Sequence, residues 1–424
     1  VLVTSKPTSD SDIRIELFTP IGSAWNGKFL QLGNGGFAGV IPTDQLKTAA
    51  IQGYAAVGTD DGHDNSVIPA GQTWASLEQK WALGHPEKMI DWSWRGAKEA
   101  TDTAKVLIIA QKGIAPKRSY FFGCSGGGRE GMIQAQRFPK AFDGIVSGAP
   151  GTYSGELVGY FVKIYQAKIR PGGYLNLANL RLLESTALRS CGGPKYVTEP
   201  ASCRVDLEKL QCRGATNEQC LTAPQIATAR LLYDGWRDPR TGRLLYPGYT
   251  PGGEAESPGI FGWHMGDSPE AMTGAAAFAT QVFRYMSFGD PQLDVRSLDD
   301  AKIQEGSRRF SAIMSPNNPD LAPFRANGGK LIHYHGWSDP ILSANNSVMY
   351  HRSVVEKLGN ADNFYKLYMV PGMLHCAGGP SPHNVDWLAL LDKWVDGGSS
   401  PNAVTATAAH KGTGETQVLQ PFGS

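Results

Sequence analysis

The stretch that decides the fold is residues 119–131, which read Ser-Tyr-Phe-Phe-Gly-Cys-Ser-Gly-Gly-Gly-Arg-Glu-Gly. The aromatic run at 120–122 predicts a buried strand, and the apolar spacing at 132–138 predicts a helix. Between them, residues 123–127 fit the pattern G-x-S-x-G, which places a serine on a sharp turn from a strand into a helix. The unit therefore predicts an exposed Ser125 hydroxyl. A glycine-rich turn with an idle serine is the alternative, because 51 glycines make chance matches easy.

Strand and helix patterns alternate on both sides of this stretch. Residues 13–19 alternate apolar and polar, as an antiparallel strand does, and a long helix is predicted at 92–112. Apolar runs predict further strands at 29–32, 54–59, 142–151, 329–340 and 364–370, followed by an amphipathic helix at 385–395. This alternation predicts an α/β protein with a parallel sheet and helices on both faces.

The composition changes after residue 151. Residues 152–325 hold four of the six cysteines and many glycine and proline turns, without clear strand alternation. A chain of 424 residues also exceeds the usual size of a single core. We therefore predict a catalytic domain of residues 1–151 and 326–424 with an inserted lid domain of residues 152–325. The aromatic residues of the insert are favoured as its core, and three of them are also candidates for the substrate pocket: Trp263, Phe283 and Phe288.

Charge and cysteine content limit the possible partners and the compartment. The net charge of +1 with mixed signs gives no argument for nucleic acid, and no apolar run reaches the ~18–20 residues that span a bilayer. No C-x-x-C pair occurs among the six cysteines, so disulfides are favoured over structural zinc. Disulfides predict an oxidising compartment, secreted or periplasmic. Because the sequence opens at Val1 with no signal segment, we expect a processed or trimmed form.

Two polar loops follow the early strands. The loop at 33–39 is glycine-rich but lacks the spacing and the lysine of a nucleotide-binding loop, so a second oxyanion N–H from Gly36 is the favoured interpretation. The loop at 60–65 carries three aspartates and one histidine. A metal site is possible there, but acids in a turn more often bond to local backbone, and we favour the structural role.

Ser125, Asp339 and His375 each follow a predicted strand, in the chain order Ser, Asp, His. This is the order of α/β-hydrolases, and in a parallel sheet the carboxyl ends of the strands share one edge. A serine hydroxyl needs an imidazole to take its proton, and a carboxylate to orient that imidazole. Gly36 and Gly126 are the candidates for the oxyanion N–H groups. His333 and His335 remain alternatives as site histidines.

Two cysteines adjoin these residues. Cys124 precedes Ser125, and Cys376 follows His375. A disulfide between them would join the nucleophile loop to the base loop. Its closed loop of about 250 residues predicts a stabilisation on the order of 5 kcal/mol from chain entropy, before strain.

The motifs Gly-Cys-Ser-x-Gly-Gly-Arg, Gly-x-Ser-Asp and Met-Leu-His-Cys resemble the CS-D-HC motif of the tannase and feruloyl esterase family, which includes mono(2-hydroxyethyl) terephthalate hydrolase. The resemblance extends to Trp25-Asn26-Gly27, Gly35-Gly36, the loop at 59–63, and residues 137–151. It implies an α/β-hydrolase core with an inserted lid. It also implies that Ser125 is the nucleophile, that His375 is the base and that Asp339 orients this base. The oxyanion donors would be the N–H groups of Gly36 and Gly126. The resemblance further implies two lid disulfides, Cys191–Cys203 and Cys212–Cys220.

The chain departs from the family at one place. The family's lid carries a calcium loop with several aspartates between the cysteines of its first disulfide. Here the segment between Cys191 and Cys203 has a single carboxylate, Glu199, whereas calcium takes six to eight oxygen ligands. We therefore predict no calcium in this loop, and no metal or cofactor for the reaction.

The sequence thus predicts a serine esterase that cleaves small esters of aromatic acids through an acyl-enzyme. Hydroxycinnamates, galloyl esters and terephthalate monoesters all remain possible substrates. A galloyl ring needs polar partners for its hydroxyls, and a terephthalate carboxylate needs a cation, for which the insert offers Arg237, Arg240 and Arg284. A peptidase and a non-catalytic binding protein for aromatic ligands, both on the same fold, are the alternatives of other classes.

Overall fold

The computed structural model describes residues 1–37, 39–65, 77–215, 217–257, 259–408 and 414–423. Its centre is an eight-stranded sheet in the order β1-β2-β4-β3-β5-β6-β9-β10. The strands are β1 (Leu2–Ser5), β2 (Ile13–Phe18), β3 (Lys28–Leu32), β4 (Ala55–Thr59), β5 (Arg118–Cys124), β6 (Gly144–Gly148), β9 (Lys330–Gly336) and β10 (Tyr365–Val370). Four smaller strands form two hairpins: β7 (Trp236–Arg237) with β8 (Leu244–Tyr246), and β11 (Val404–Thr407) with β12 (Thr416–Leu419).

The sheet is parallel except at one edge. β1 pairs antiparallel with β2, and β2 pairs antiparallel with β4, whereas the pairs from β4 through β10 are parallel. Every residue of β4, β6 and β10 is buried, as expected for parallel strands that are covered on both faces. The carboxyl ends of β5, β9 and β10 therefore meet along one edge of the sheet, where open α/β sheets bind their ligands.

Helices cover both faces of this sheet. The described α-helices are α1 (Thr43–Ile51), α2 (Pro86–Ile90), α3 (Gly96–Lys112), α4 (Gly126–Arg137), α5 (Ser154–Ile169), α6 (Leu177–Cys191), α7 (Ala223–Asp234), α8 (Gly274–Gln281), α9 (Asp300–Met314), α10 (Ala322–Ala326), α11 (Ala344–Leu358) and α12 (Trp387–Val395). One apolar cluster joins the sheet to α3, α4 and α11. A second cluster joins it to α1 and α12, which gives the three-layer arrangement expected of an α/β-hydrolase.

Residues 152–325, called the insert below, lie in the chain between β6 and β9. Their apolar residues form a large cluster centred on α5, which packs along α9. The helices approach closely because a Cβ on Gly155 would lie 2.1 Å from the Ser307 carbonyl oxygen. Disulfides join Cys191 to Cys203 and Cys212 to Cys220. The division into a catalytic domain and a lid stays a prediction.

Some elements differ from the sequence-based expectation. A π-helical segment, Asp91–Arg95, precedes α3, so the long helix predicted from residue 92 is regular only from Gly96. The β11–β12 hairpin was not predicted, because its strands have only four residues each. Among the helices that the structure describes, none is both long enough and apolar enough to span a membrane.

Candidate active site

Ser125 lies on the turn between β5 and α4. Its φ of 61° and ψ of −119° are unusual for a residue with a side chain, and local packing holds it there. The Ser125 N–H donates to the Gly148 carbonyl at 2.9 Å. Only glycine fits at position 123, since a Cβ there would lie 2.5 Å from the Gly127 carbonyl carbon. The turn is the strained strand-to-helix connection that the pattern G-x-S-x-G predicts.

Asp339 follows β9, and His375 follows β10, so both reach the edge of the sheet where Ser125 lies. Asp339 Oδ1 accepts hydrogen bonds from the N–H groups of Ile341 and Leu342, at 2.8 and 2.9 Å. Its Oδ2 lies 2.7 Å from His375 Nδ1. Because Asp339 accepts from Nδ1, we assign the proton there, which leaves Nε2 free to accept a proton.

The environment of Asp339 keeps its carboxylate ionised. Burial alone would raise its pKa, but the charge of His375 and the hydrogen bonds from His335 and His375 outweigh burial and hold the pKa of Asp339 well below its usual range. A permanently ionised partner suits the stabilisation of an imidazolium. His333 and His335 do not line the described cavity, and both are fully buried.

A disulfide joins Cys124 to Cys376, which are 252 positions apart in the sequence. The residues next to Ser125 and His375 are therefore covalently connected. Cys376 has a φ of 64°, so the chain turns sharply after His375. The bond fixes the distance between two loops that belong to different strands of the sheet.

The loop after β3 lies against the start of α4. A Cβ on Gly126 would lie 2.8 Å from the Gly36 carbonyl oxygen and 3.3 Å from the Gly36 nitrogen, so the two backbones are in contact. Gly36 has a φ of 58°, and both glycines line the same cavity as Ser125. The first N–H groups of a helix have no partner within the helix and carry partial positive charge. Both predicted oxyanion donors thus lie beside the nucleophile candidate.

A buried polar cluster connects this loop to β4, to the loop after β4 and to α4. The Asn34 side chain donates to the Thr59 carbonyl and to Asp61 Oδ2, at 2.7 and 2.8 Å, and the Asn34 N–H donates to Glu130 at 3.3 Å. Burial, and then the charge of Glu130, raise the pKa of Asp61 well above its ordinary value. Burial also raises the pKa of Glu130. Two neighbouring buried carboxyls therefore keep a proton to a higher pH than two exposed carboxyls would.

The acidic loop at 60–65 has a structural role. Asp60 Oδ1 accepts from the N–H groups of Arg14 and Gly62, and burial raises the pKa of Asp60 to about 6. The His63 ring stacks on Trp81 at 4.0 Å, and burial lowers the pKa of His63 to about 4, so it is neutral. Within the described ranges, no group of three or more histidine, cysteine or acidic side chains is arranged to hold a metal ion.

The calcium loop of the family does not fit the residues present here. Between Cys191 and Cys203, Glu199 carries the one carboxylate. The backbone carbonyl of Glu199 already accepts hydrogen bonds from the N–H and the hydroxyl of Ser202. One carboxylate is too few hard oxygen ligands for calcium. We therefore assign no step of the chemistry or of folding to a metal in this loop.

A cavity of about 390 Å³ opens onto Ser125 and His375. Most of its wall is apolar, and the insert supplies the greater part of that wall. Among the described residues, the apolar side chains that line the cavity are Leu77, Trp92, Leu157, Phe161, Trp263, Phe278, Phe310, Met314, Ile341 and Leu342. Such a concave apolar site with a few polar groups is typical for a small aromatic ligand.

Of the three aromatic residues predicted for the pocket, Trp263 lines the cavity and two do not. Phe283 is completely buried, and its ring lies 5.8 Å from that of Phe288. A Cβ on Gly306 would contact both rings at 2.8 and 2.9 Å, so they pack against α9 inside the insert. The prediction for Phe283 and Phe288 is therefore corrected: they belong to the core of the insert.

The sequence analysis missed several lining residues. Leu157 and Phe161 are four residues apart on α5, and Phe310 and Met314 are four apart on α9. This spacing places each pair on one helix face. The signal was therefore present in the sequence, but the same spacing also marks helix faces that are buried in the core of the insert.

Arg129 is the charged residue of α4 that reaches the cavity wall. It is buried, with its guanidinium 4.8 Å from the Trp92 ring centre, and its Nη1 donates to the Ser93 carbonyl at 2.6 Å. The arginines that the sequence offered for a substrate carboxylate are elsewhere, since none of them lines the described cavity: Arg237, Arg240 and Arg284.

Comparison with known proteins agrees with this geometry. The family profile described as "Tannase and feruloyl esterase" matches residues 1–424. The chain belongs to this family. An uncharacterised esterase of Xanthomonas campestris pv. campestris is 33% identical over 96% of this chain and 76% of its own length. Feruloyl esterase B of Aspergillus niger is 29% identical over 89% of this chain and 73% of its own length.

Solved structures have the same fold. The crystal structure of feruloyl esterase B from Aspergillus oryzae aligns with a TM-score of 0.86 at 26% identity, over 100% of this chain and 86% of that one. A tannin acyl hydrolase from Aspergillus niger aligns with a TM-score of 0.78 at 22% identity, over 100% and 82%, which supports the fold alone. The family member described here is an α/β-hydrolase and a carboxylic ester hydrolase that acts on esters of aromatic acids.

Proposed function

We propose that this esterase cleaves esters of hydroxycinnamic acids through an acyl-enzyme on Ser125. The observation that carries the proposal is the meeting of Ser125 with the hydrogen-bonded pair His375–Asp339 at one apolar cavity. A nucleophile, a base and an orienter are the three parts that acyl transfer needs. The relationship to proteins named feruloyl esterase B supports the same substrate class.

In the first half of the reaction, Ser125 Oγ attacks the ester carbonyl while His375 Nε2 takes the hydroxyl proton. Asp339 stabilises the imidazolium that forms. His375 is held for this step by its hydrogen bond to Asp339, and the bond between the nucleophile and the base forms fully in the complex with substrate. The N–H groups of Gly36 and Gly126 donate to the tetrahedral oxyanion, and each donor contributes roughly 3 kcal/mol.

The first half ends when the tetrahedral intermediate collapses to the acyl-enzyme and the alcohol leaves with the proton from His375. Hydrolysis of the acyl-enzyme is the second half. A water molecule then attacks the acyl-enzyme, and His375 takes its proton as the general base. The acid leaves when Ser125 recovers its proton. No metal or cofactor takes part in these steps.

The wall of the cavity favours a methoxylated cinnamoyl group over the other two aromatic acids. A galloyl ring would bury three hydroxyls against mostly apolar side chains, and each unpaired hydroxyl costs roughly 1–3 kcal/mol. A terephthalate carboxylate would find Arg129, but that guanidinium already bonds to Ser93 and pairs with Glu130 at 3.7 Å. The feruloyl methoxy group and propenyl chain are apolar, as is the wall.

We also propose that the protein works in an oxidising compartment, secreted or periplasmic. All six cysteines are joined in three disulfides, which persist where thiols are not kept reduced.

The test is hydrolysis of a panel by the purified enzyme and its Ser125→Ala variant. The panel holds methyl ferulate, methyl gallate, mono(2-hydroxyethyl) terephthalate and p-nitrophenyl butyrate. We expect methyl ferulate to have the highest kcat/KM and Ser125→Ala to lose at least ~10³-fold in kcat. Ser202→Ala, on the exposed loop between Cys191 and Cys203, is the matched control and keeps full activity.

Other outcomes would assign the protein differently. A preference for methyl gallate or for the terephthalate monoester would contradict the hydroxycinnamate proposal but keep the mechanism. An aminoacyl p-nitroanilide, assayed beside the panel, tests the peptidase alternative, and faster cleavage of this amide than of the esters would indicate a peptidase. A folded protein with its disulfides formed, no turnover and tight binding of ferulate would indicate a binding protein.

A further inference from the structure

Behind Asp339 lies a row of buried polar side chains that the reaction steps above do not use. His335 Nε2 lies 3.0 Å from Asp339 Oδ2, and His335 Nδ1 lies 2.6 Å from Ser347 Oγ. Ser347 Oγ also lies 2.7 Å from His333 Nε2, and His333 Nδ1 lies 2.8 Å from the Tyr365 hydroxyl. All four side chains behind the carboxylate are 0% exposed, so bulk water does not replace any of these bonds.

The direction of these hydrogen bonds follows from the acceptor at one end. His335 Nε2 faces two acceptors, Asp339 Oδ2 and the Leu342 carbonyl at 3.1 Å, so it carries a proton. We assign Nδ1 as the acceptor of the hydrogen bond from the Ser347 hydroxyl. Ser347 in turn accepts from His333 Nε2, and His333 Nδ1 accepts from Tyr365. Every donor in the row therefore points towards Asp339.

We propose that His335 is a positioning residue for the ester hydrolysis. Tyr365, His333, Ser347 and His335 form a one-directional hydrogen-bond chain, called the β9 relay here, that orients and polarises the Asp339 carboxylate. The proposal rests on the proposed roles of Asp339 and His375. It adds a function for two histidines that lie outside the cavity.

The β9 relay connects Asp339 to three elements of the scaffold. His333 and His335 lie on β9, Ser347 on α11, and Tyr365 on β10. Asp339 itself lies on a turn, and Oδ2 is the oxygen that holds His375. A second donor on the same oxygen restricts the rotation of the carboxylate, and aligned donors polarise one another in a site of low dielectric. The orientation of the catalytic imidazole therefore depends on residues that never contact substrate.

Other titratable groups near the carboxylate are neutral. Tyr246 and Tyr249 of the insert lie near Asp339, and burial raises the pKa of both well above its ordinary value. Burial lowers the pKa of His264 to about 3, and it lowers the pKa of His333 and of His351, which packs on Tyr365. These shifts all favour the neutral form of the tyrosines and histidines that are named here.

The main test compares two replacements of His335 in the full-length enzyme. His335→Phe keeps the ring volume and removes both nitrogens, whereas His335→Gln keeps an N–H donor near the Nε2 position. We expect His335→Phe to lower kcat by about 10- to 100-fold, because it removes one buried hydrogen bond to a charged group. We expect KM to change by less than about twofold, because no relay residue contacts the substrate, and His335→Gln to recover part of kcat.

The pH profile supplies a readout that a purely structural role would not change. Without the His335 donor, Asp339 is a stronger partner for the imidazolium. We therefore expect the acid limb of the kcat/KM profile of His335→Phe to move upward by about half a pH unit or more. An unshifted limb, or equal losses in His335→Phe and His335→Gln, would overturn the proposal.

Single-atom deletions keep the test decisive even if His335→Phe does not fold. Ser347→Ala breaks the chain in the middle, and Tyr365→Phe removes its last hydroxyl. We expect the loss of kcat to be greater for Ser347→Ala, and the effect of Tyr365→Phe to vanish in the Ser347→Ala background. Additive effects would contradict a chain. Tyr350→Phe is the control, because it deletes a hydroxyl that is equally buried but bonds to Asn318.

A covalent serine probe separates this proposal from the choice of substrate. The rate at which a fluorophosphonate labels Ser125 reports the reactivity of the Ser–His–Asp site without any ester substrate. If wild type cleaves no aromatic ester but labels quickly, the substrate proposal fails and the β9 relay is still tested by the labelling rates. If His335→Phe labels at the wild-type rate, the β9 relay proposal fails by itself.

Discussion

At the scale of single residues, the site depends on a glycine, which has no side chain, as well as on the side chains of the candidate triad. Gly126 follows the nucleophile candidate, and its missing Cβ leaves room for the Gly36 carbonyl. The G-x-S-x-G pattern does not require glycine at this position. The requirement arises from the loop after β3, which lies closely against the first turn of α4. A sequence pattern read along the chain cannot show such a contact between distant segments.

We predict that Gly126→Ala displaces the loop that carries Gly36 and thereby weakens the oxyanion contacts. The expected result is a fall in kcat of about 10- to 100-fold with little change in KM, because oxyanion donors act mainly in the transition state. Steady-state kinetics on methyl ferulate measures both constants. Gly214→Ala is the control, since a Cβ at that exposed position meets nothing within 4 Å. Equal kcat for Gly126→Ala and wild type would show that the loop adapts.

At the scale of elements, a buried polar cluster that contains two carboxyl groups with raised pKa values connects β3, β4 and α4. Asn34 follows β3, Asp61 follows β4 and Glu130 lies on α4, and all three are buried. Burial is the largest cause that raises the pKa of both carboxyls. The folded protein therefore keeps a proton that the unfolded chain releases near its ordinary pKa of about 4. Stability from this pair is fully present below about pH 4 and falls as the pH rises.

We predict that Asp61→Asn removes much of this pH dependence. Asparagine keeps the size of the side chain and an oxygen for the Asn34 bond, but has no proton to lose. The melting temperature of the variant, relative to wild type, should rise steadily between pH 5 and pH 9. Thermal unfolding followed by circular dichroism measures this difference. Asp44→Asn, at an exposed position on α1, should show a constant difference, and a constant difference for Asp61→Asn would contradict the shared proton.

The sequence analysis was most successful for elements whose local pattern is compatible with only one structure. The aromatic run before Ser125, the glycines after it and the cysteines beside Ser125 and His375 indicated the fold and the candidate triad. The pocket wall was harder to predict, because Phe161 and Phe283 are both apolar residues of helices in the insert. Phe161 faces the cavity and Phe283 faces α9, and that difference arises from the packing of α5, α8 and α9. Packing between helices is not encoded in the spacing of any one of them.

At the scale of the whole molecule, the two parts of the sequence supply different parts of the site. Ser125, Asp339 and His375 come from the edge of the sheet, and much of the apolar wall comes from the insert. Chemistry and substrate choice can therefore change independently. Substitutions in the insert should change KM and the ranking of substrates, while the chemistry of Ser125 stays the same.

We predict that Phe278→Ala raises KM for methyl ferulate by about tenfold, because it removes an aromatic face from the wall, worth roughly 1–3 kcal/mol of apolar contact. The KM for p-nitrophenyl butyrate should change less, since its short acyl chain fills less of the cavity. Phe288→Ala is the matched control, an aromatic residue of the same insert that lies outside the cavity. It should lower the melting temperature and leave both KM values unchanged. Equal changes of KM in the two variants would contradict the assignment of the wall.

The disulfide between Cys124 and Cys376 has a consequence for how this enzyme becomes active. The bond joins the two loops that carry Ser125 and His375, so its formation is a maturation step of the catalytic centre as well as a contribution to stability. In a reducing medium the two loops have no covalent connection. We therefore expect kcat to reach its full value only after this disulfide has formed, and kcat measured during reoxidation of the reduced protein would show this.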